Sequence, residues 1–174
     1  MSSSITEKPG DGSSAVSFSA AVVTVSDSSA RGERVDISGP AVADILKKLG
    51  FRVTATRIVQ DDSMQIQNAL VHLGLEVRLI VTTGGTGIAA RDVTPEATEA
   101  ICDRLIDGIG ERMRLEGSKK TSFAALSRGV CGVRDKTVIL NVPGSPSGAV
   151  ESLQAVADLI PHALNLLDGK TEHT

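Results

Sequence analysis

The chain has 174 residues, of which 41% are hydrophobic and 2% aromatic, and its formal net charge at pH 7 is −3. This length predicts one domain with a single core that is built mainly from aliphatic side chains. The acidic balance argues against a nucleic-acid partner, and the lack of any apolar run of about 18 residues argues against a membrane span.

The two ends of the sequence and its cysteines restrict the class of protein further. Residues 1–17 are rich in serine and glycine with little apolar periodicity, which predicts a disordered tail without a secretion signal, and we therefore expect a cytoplasmic location. We expect residues 18–169 to form one domain and residues 170–174 a short C-terminal tail.

Cys102 and Cys131 are too few for a disulfide framework or a zinc site, so we predict that both pack as small core residues.

The first half of the domain repeats a unit of strand, loop and helix. Ala20–Val25 is a continuous apolar run that predicts a buried strand, and a second strand is predicted over Phe51–Val59. Between them, apolar residues at helical spacing indicate a helix that ends at Gly50. After the second strand, Ser63 is a candidate N-cap for a helix that ends at Gly74.

The second half continues the alternation. Leu79–Val81 predicts a third buried strand and Thr137–Val142 the last one, while Thr94-Pro95-Glu96 predicts a helix start. Alternating strands and helices predict an α/β fold in which a parallel sheet is covered by helices on both faces. The other predicted helices are Ile109–Glu116, a short turn within Thr121–Arg128, and Ala149–Leu167 with a kink or restart at Pro161.

Polar clusters follow all four predicted strands. Ser26 and Asp27 follow the first strand and Asp61 the second, while TTGGTG at 82–87 follows the third and PGSP at 143–146 the last. In parallel sheets, ligands bind beyond the carboxyl ends of the strands, where these loops would meet. Glycines let backbone N–H groups surround an anion. We therefore predict an anion-binding site formed by four loops.

Two familiar phosphate-binding motifs do not fit the glycine-rich loop. The segment from Gly85 to Ala90 satisfies the loose form of the dinucleotide fingerprint, but the predicted helix starts later, at Thr94, rather than within the motif. A Walker loop is excluded because no Gly-Lys-Ser/Thr follows the glycines. We therefore expect an anion site of another kind.

Five parts of the chain form a specific pattern in this order: TVSDSSARGERVDISGP (24–40), Asp61, TTGGTGIAARDVTPEAT (82–98), AALSR (124–128) and LNVPGSPSG (140–148). TTGGTG followed by RDVTPE is much more specific than a lone glycine motif. Together these parts resemble the molybdopterin adenylyltransferase family of molybdenum cofactor biosynthesis. The resemblance extends over about Ala20–Gly169, nearly the whole predicted domain.

The resemblance implies a three-layer α/β/α sandwich with a mostly parallel central sheet, typical of molybdopterin-binding domains, and commonly a homotrimer. It also implies a reaction in which the terminal phosphate of molybdopterin attacks the α-phosphate of ATP, releasing pyrophosphate and leaving adenylylated molybdopterin. Mg²⁺ is expected with the nucleotide, and a molybdenum-insertion protein is the implied recipient of the product. Phosphoryl transfer depends mainly on positioning and charge neutralisation.

The family's two functionally important aspartates fall on Asp61 and Asp92. The resemblance implies that they handle Mg²⁺ and orient the reacting phosphates, since an anionic phosphate nucleophile needs no strong general base. For each aspartate the alternative is a role at a helix start, Asp61 before the helix at Ser63 and Asp92 before the helix at Thr94.

The remaining family positions imply two groups of binding residues. One group binds phosphate or the pterin end through amides and hydroxyls, and the other lines the nucleotide side of the pocket. Ser38 has the alternative role of capping the first helix, and the chain departs from the family pattern at Gly117, where serine is usual. The first group is Thr83, Gly84, Gly85, Thr86 and Gly87, and the second is Ser26, Asp27, Asp36, Ser38, Gly39, Pro143, Gly144 and Ser145.

Two other functions remain open at the level of sequence. One is a non-catalytic molybdopterin-binding or scaffold protein of the same pathway, which would bind the pterin without releasing pyrophosphate. The other is a related nucleotide-hydrolysing domain, which would act without a pterin acceptor.

Overall fold

The structure, a computed structural model, describes residues 17–170 of the chain. The predicted tails, 1–17 and 170–174, therefore lie outside the described residues except for Ser17 and Lys170. Within 17–170, no helix has the length and apolarity needed to cross a membrane.

The described chain contains six strands and seven helices, with one additional 3-10 helix at Ser122–Leu126. The strands are β1 Ser19–Val25, β2 Arg52–Val59, β3 Leu79–Thr83, β4 Arg104–Leu105, β5 Cys131–Arg134 and β6 Thr137–Val142. The helices are α1 Asp27–Ala30, α2 Ser38–Lys48, α3 Ser63–Gly74, α4 Thr94–Glu99, α5 Asp107–Ser118, α6 Pro146–Val156 and α7 Ile160–Leu167.

The strands form one sheet in the order β2-β1-β3-β6-β5-β4. The four strands predicted from the sequence are neighbours and run parallel, so their carboxyl ends share one edge. The remaining two strands are β5 and β4. Strand β5 runs antiparallel to both of its neighbours, β6 and β4, so the sheet is mostly parallel, as the family resemblance implies, rather than wholly parallel. They escaped prediction because β4 has two residues and β5 four, too short for a periodic signal.

Helices cover both faces of the sheet, which confirms the three-layer sandwich. Along β1, Ala20 and Val22 face one layer while Ala21 and Val23 face the other, as the two-residue period of a strand requires. Helices α2, α5, α6 and α7 pack on the first face, and α3 and α4 on the second. The sheet is thus buried on both sides, which explains why its central strands read as continuous apolar runs.

Some helix ends differ from the sequence predictions. The N-cap of α3 is Asp62, whose carboxylate accepts the Gln65 N–H at 2.9 Å, and Ser63 is the first helical residue. Ser38 likewise does not cap α2, because the Asp36 carboxylate accepts the Gly39 N–H at 3.0 Å instead. A carboxylate that precedes a serine can therefore take the capping role that serine itself often fills. The restart predicted at Pro161 is observed, since α6 and α7 are separate helices.

A buried asparagine on β6 ties three elements together. The Asn141 side chain is fully buried, and its amide donates to the hydroxyls of Thr82 on β3 and Thr98 on α4, at 3.0 Å each. Its carbonyl oxygen accepts the Val130 N–H at 3.3 Å. Buried polar groups of this kind are stabilising only while all partners are present.

We expect Asn141→Ala to lower the free energy of unfolding by about 2 kcal/mol, because it leaves the Val130 amide and two buried hydroxyls without their partner. Urea denaturation measures this loss. The matched control is Asn68→Ala on an exposed position of α3, which we expect to change stability by less than about 0.5 kcal/mol. Equal stability of the two variants would contradict this role of Asn141.

Candidate functional site

The loops that follow β1, β2, β3 and β6 meet at the carboxyl edge of the sheet. The Ser26 N–H donates to the carbonyl of Val59 at 2.9 Å, which joins the loops after β1 and β2. The Gly84 N–H donates to the Val142 carbonyl at 3.2 Å, and the Thr83 hydroxyl donates to the Pro143 carbonyl at 2.7 Å. The convergence of loops predicted from the order of strands is therefore observed.

The glycine-rich loop after β3 needs glycine for two separate reasons. Gly84 has φ +101°, and a Cβ there would lie 2.3 Å from the carbonyl oxygen of Val25. Gly85 has φ +66°, and a Cβ there would lie 2.2 Å from the Thr94 hydroxyl. That hydroxyl donates to the Gly84 carbonyl at 2.9 Å, so the turn is closed onto the start of α4. A residue with a side chain fits neither position.

Asp61 is held against Asp27 by a reciprocal pair of backbone contacts. The Asp27 N–H donates to Asp61 Oδ2 at 2.8 Å, and the Asp61 N–H donates to Asp27 Oδ1 at 3.0 Å. The other carboxylate oxygen of Asp61, Oδ1, lies 3.4 Å from where a Cβ of Gly85 would be, so it borders the glycine-rich loop. Because Asp62 caps α3, the alternative capping role for Asp61 is not what the structure shows.

The two aspartates of this pair have pKa values shifted in opposite directions. Bidentate hydrogen bonds from Arg91, at 2.6 and 2.8 Å, hold the pKa of Asp27 below its ordinary value. Burial raises the pKa of Asp61, although the Asp27 N–H opposes the shift. The negative charges of Asp27 and Asp92 push the pKa of Asp61 in the same direction as burial. Three carboxylates therefore lie close enough to influence each other.

Asp92 lies on the other side of the glycine-rich loop. Its Oδ2 accepts the Ala89 N–H at 2.9 Å and lies 2.7 Å from where a Cβ of Gly87 would be. Helix α4 begins without any side-chain cap, so Asp92 does not cap it. Asp61 and Asp92 therefore face the loop from two sides, the first at Gly85 and the second at Gly87.

Arg128 fixes the conformation of the loop from outside. Its backbone N–H donates to the Thr86 carbonyl at 2.8 Å, and its guanidinium donates to the carbonyls of Gly87 and Asp92 at 2.7 Å each. The guanidinium also pairs with Glu96 on α4. The rigid, planar fork of arginine suits several acceptors in fixed directions.

Two adjoining cavities open at this edge. Cavity 1, about 560 Å³, lies between the glycine-rich loop, α5 and the 3-10 helix, and Ile88, Met113, Phe123 and Leu126 give it an apolar wall. Cavity 2, about 440 Å³, lies between the loop after β1 and the carboxyl ends of β1 and β3. The two cavities share a wall formed by Gly85, Gly144 and Ser145.

Most of the predicted site residues line these cavities. Those in cavity 1 alone are Thr86, Gly87, Asp92 and Pro143. Those in cavity 2 alone are Ser26, Asp36, Ser38, Asp61, Thr83 and Gly84. Asp27 and Gly39 line neither cavity. The Asp27 carboxylate accepts a hydrogen bond from Arg91 instead. Gly39 packs against Asp36, and a Cβ at Gly39 would lie only 2.3 Å from the Asp36 carboxylate.

Four arginines at the site were missed among the candidate residues, and one of them, Arg34, lines cavity 2. Arg91 precedes Asp92 and Arg128 ends AALSR, so both lie within segments that carry the family resemblance. Their positions in these segments could have identified them from the sequence. Arg114 lines cavity 1 and donates to the Gly129 carbonyl at 3.1 Å. It comes from a charged stretch of α5, where nothing in the sequence distinguishes it from a surface charge.

The chemistry of the donor atoms bears on metal binding. Within residues 17–170, no group of three or more His, Cys, Asp or Glu side chains is placed to hold a metal ion. Asp61 and Asp92 nevertheless offer hard carboxylate oxygens, and Mg²⁺ is typically held by one or two carboxylates together with phosphate oxygens of a substrate. The donor chemistry of the two aspartates is therefore of the kind that Mg²⁺ accepts together with phosphate oxygens.

The cysteines do not contribute to this site. Burial raises the pKa of the Cys131 thiol to about 12 and that of Cys102 to about 11, so both are protonated at neutral pH. Cys131 lies in the core and Cys102 packs against it, as predicted from the sequence. A thiol in this state is a poor nucleophile.

Comparisons with known proteins agree with this geometry. The family model described as "Probable molybdopterin binding domain" matches residues 21–162. A molybdopterin adenylyltransferase of Helicobacter pylori (strain ATCC 700392 / 26695) is 40% identical over 152 residues, which cover 85% of this chain and 86% of that protein. The molybdopterin adenylyltransferase of Escherichia coli (strain K12) is 36% identical over 165 residues, covering 85% and 84%.

A solved structure shows the same fold. The molybdopterin biosynthesis enzyme MoaB from Thermus thermophilus superposes with a TM-score of 0.83 at 49% sequence identity. The alignment covers 88% of this chain and 98% of that one. The sandwich, with its mostly parallel sheet, is therefore shared over almost the full length of that protein.

We expect Arg128→Ala to lower the free energy of unfolding by about 2 kcal/mol, because two loop carbonyls and Glu96 lose a common donor. Arg128→Lys should restore less than half of this loss, since one ammonium cannot reach all three acceptors. Arg112→Ala, which removes an exposed pair with Asp158, is the control and should cost less than about 0.5 kcal/mol. The proposed clamp would be wrong if urea denaturation gave the same midpoint for Arg128→Ala and Arg112→Ala.

The raised pKa of Asp61 predicts a pH-dependent effect on stability. An acid whose pKa is higher in the folded state disfavours folding when ionised, and this penalty disappears as the pH falls below its ordinary pKa. Asn at position 61 keeps an acceptor for the Asp27 N–H without the charge. We therefore expect Asp61→Asn to be at least as stable as the wild type at pH 7 in thermal denaturation.

Thermal denaturation at lower pH tests whether the Asp61 charge destabilises or stabilises the fold. The stability of Asp61→Asn minus that of the wild type should be positive at pH 7 and should fall towards zero as the pH is lowered, because protonation removes the charge that burial penalises. If the wild type were instead the more stable protein at pH 7 and lost this advantage as the pH fell, the ionised carboxylate would stabilise the fold.

Proposed function

Because this chain belongs to the molybdopterin-binding domain family, we propose that it transfers AMP from ATP to the terminal phosphate of molybdopterin, giving adenylylated molybdopterin and pyrophosphate. The observation that carries this proposal is the pair of adjoining cavities with a common wall of Gly85, Gly144 and Ser145. A two-substrate reaction needs two binding regions whose reacting groups meet, and the relatives named molybdopterin adenylyltransferase, 36–40% identical, support the same activity.

The cavities differ in the ligand that each would accept. Cavity 1 has an apolar wall that includes Met113 and Phe123, which suits the flat ring system of the pterin. Cavity 2 is bordered by the hydroxyls of Ser26, Ser38 and Thr83, which suit the ribose and phosphates of a nucleotide. We therefore assign the pterin to cavity 1 and ATP to cavity 2.

The reacting phosphates would meet at the shared wall. Ser145 caps α6, and its hydroxyl accepts the Gly148 N–H at 3.2 Å, so the N-terminal end of an eleven-residue helix is directed to this wall. Helix N-termini favour negative charge through their free N–H groups and dipole. Glycines at 85 and 144 allow the phosphates to approach the backbone closely. The role of these residues is to position two anions that repel each other.

Two arginines supply positive charge to the cavities. Arg114 in cavity 1 is anchored by carbonyl oxygens and forms no salt bridge with a carboxylate among residues 17–170. Arg34 in cavity 2 has no side-chain partner within the same described range. Both guanidinium groups are available to compensate phosphate charge.

Asp61 and Asp92 would hold Mg²⁺ from opposite sides of the glycine-rich loop. When bound, Mg²⁺ neutralises charge on phosphate oxygens and orients them. The carboxylates themselves do not act as bases in this proposal, since the attacking phosphate oxygen is already anionic. Their function is to fix the positions of the reacting groups.

At Gly117, the position where the family usually has serine, the backbone comes close to a neighbouring element. A Cβ there would lie 2.9 Å from Cβ of Ala124, so α5 and the 3-10 helix pack closer than a serine allows. Other hydroxyls, those of Thr121 and Ser127, line the same cavity. We propose that they provide the hydrogen bonds that a serine at 117 would make.

Several expectations from the resemblance stay predictions. These are the dependence on Mg²⁺, assembly as a homotrimer, a cytoplasmic location and delivery of the product to a molybdenum-insertion protein. The Mg²⁺ requirement is the one that the donor chemistry of Asp61 and Asp92 supports.

We expect the purified protein to form pyrophosphate and adenylylated molybdopterin from ATP and molybdopterin, and Asp61→Asn and Asp92→Asn each to lower kcat by about 100-fold or more, the usual loss for a group that stabilises developing charge. The matched control is Asp62→Asn. Asp62 is adjacent to Asp61 but caps α3, and asparagine caps equally well, so activity should stay within about twofold.

The product analysis separates this proposal from its alternatives. Molybdopterin binding without pyrophosphate release would indicate a scaffold protein, and nucleotide cleavage without molybdopterin would indicate a hydrolase. Either result would overturn the adenylyl transfer. Full activity in Asp61→Asn and Asp92→Asn would overturn the roles of the two aspartates.

A further inference from the structure

Asp27 was expected to bind the nucleotide, yet its carboxylate lines neither cavity and is fully occupied by protein donors. Arg91 Nε and Nη2 donate to Asp27 Oδ2 and Oδ1 at 2.6 and 2.8 Å, and the Asp61 N–H donates to Oδ1 at 3.0 Å. Resting on the proposed function, we infer that Arg91 is a positioning residue that acts through Asp27 to fix the Asp61 carboxylate.

Arg91 is connected to Asp61 through two successive hydrogen-bonded contacts, first with Asp27 and then from Asp27 to Asp61. Arg91 orients the Asp27 carboxylate, and this carboxylate receives the backbone N–H of Asp61. In return, the Asp27 N–H donates to the Asp61 side chain at 2.8 Å, which sets the direction of the carboxylate that borders cavity 2. The position of Asp61 is therefore determined by a closed set of contacts between the loops after β1 and β2.

Arg91 also links this set to the second aspartate. It precedes Asp92 in the chain, so the loop after β3 that carries Asp92 is attached to the loop after β1 by the Arg91–Asp27 pair. On the other side, Arg128 holds the carbonyl of Asp92. The relative position of Asp61 and Asp92 is thus constrained by two arginines, neither of which needs to touch a substrate.

The exposure of the pair argues for positioning rather than stability. The Arg91 side chain is 64% exposed and that of Asp27 is 22% exposed. An exposed ion pair contributes little to the free energy of unfolding, whereas bidentate geometry fixes direction. The Arg91 contact is also the largest cause of the lowered pKa of Asp27. The structural consequence of losing Arg91 should therefore be local.

Amide hydrogen exchange tests this inference without any substrate. In Arg91→Ala, we expect the Asp61 N–H to exchange at least about tenfold faster, because its acceptor is no longer oriented. The Ser26 N–H, which joins the same two loops through the Val59 carbonyl, should keep its protection. Arg91→Lys, which keeps the charge but not the bidentate contact, should lie between the wild type and Arg91→Ala.

Arg31→Ala is the matched control for a lost bidentate pair. Arg31 makes the same kind of contact with Glu33 in the loop after β1, and its removal should leave exchange at Asp61 unchanged. Unchanged protection of Asp61 in Arg91→Ala would overturn the inference. Loss of protection at both Ser26 and Asp61 would also overturn it, since that result indicates general loosening of the loops.

Kinetics provide the second test. We expect Arg91→Ala to lower kcat for adenylyl transfer by about tenfold with KM for ATP within about twofold, and to cause no further loss in the Asp61→Asn background. Multiplicative losses in the double variant would mean that Arg91 acts independently of Asp61 and would overturn the inference. If the wild type shows no adenylyl transfer, the proposed function fails, while the exchange experiment still decides the role of Arg91.

Discussion

The close contact between backbone segments at Gly84 is the constraint on which the site depends. Here the ends of β1, β3 and β6 approach so closely that a Cβ at Gly84 would lie 2.3 Å from the Val25 carbonyl oxygen, and a Cβ at Gly144 would lie 3.2 Å from Gly84 Cα. Three loops are thereby brought into van der Waals contact. The shared wall of the two cavities, Gly85, Gly144 and Ser145, lies directly beside this contact.

Around this contact, the structure uses arginines to hold loops rather than to stabilise the core. Arg128 donates to carbonyls of the glycine-rich loop, and Arg91 donates to a carboxylate of the neighbouring loop. Arg128 lies outside the loop after β3 and holds its carbonyls, whereas Arg91 belongs to that loop and attaches it to Asp27 after β1. Neither arginine lines cavity 1 or cavity 2, whereas Asp92 lines the first and Asp61 the second.

The sequence predicts the four parallel strands, which belong to a repeated pattern of strand and helix. It does not predict β4 and β5, which lie outside that pattern. Buried parallel strands such as Thr137–Val142 are recognisable because both faces are apolar. The hairpin of β5 and β6 turns at Asp135, whose φ of 51° is adopted without glycine, so the usual turn signal is absent. The caps differ for another reason, since Asp36 and Asp62, which precede the predicted serines in the chain, accept amides in the first turn of α2 and α3. Likewise, the positions of Asp61 and Asp92 follow from strand order, but the partners of Arg91 depend on side-chain contacts between residues 64 positions apart.

The common wall of the two cavities has a consequence for the end of the reaction. Under the proposed reaction, each substrate occupies one cavity, whereas the product is a single molecule with one part in each. Such a molecule behaves as two tethered ligands, because when one part dissociates the other keeps it at a high effective concentration near its site. Its residence time should therefore exceed that of either substrate. A long-lived complex of this kind would keep the product out of bulk solvent after the chemical step is complete.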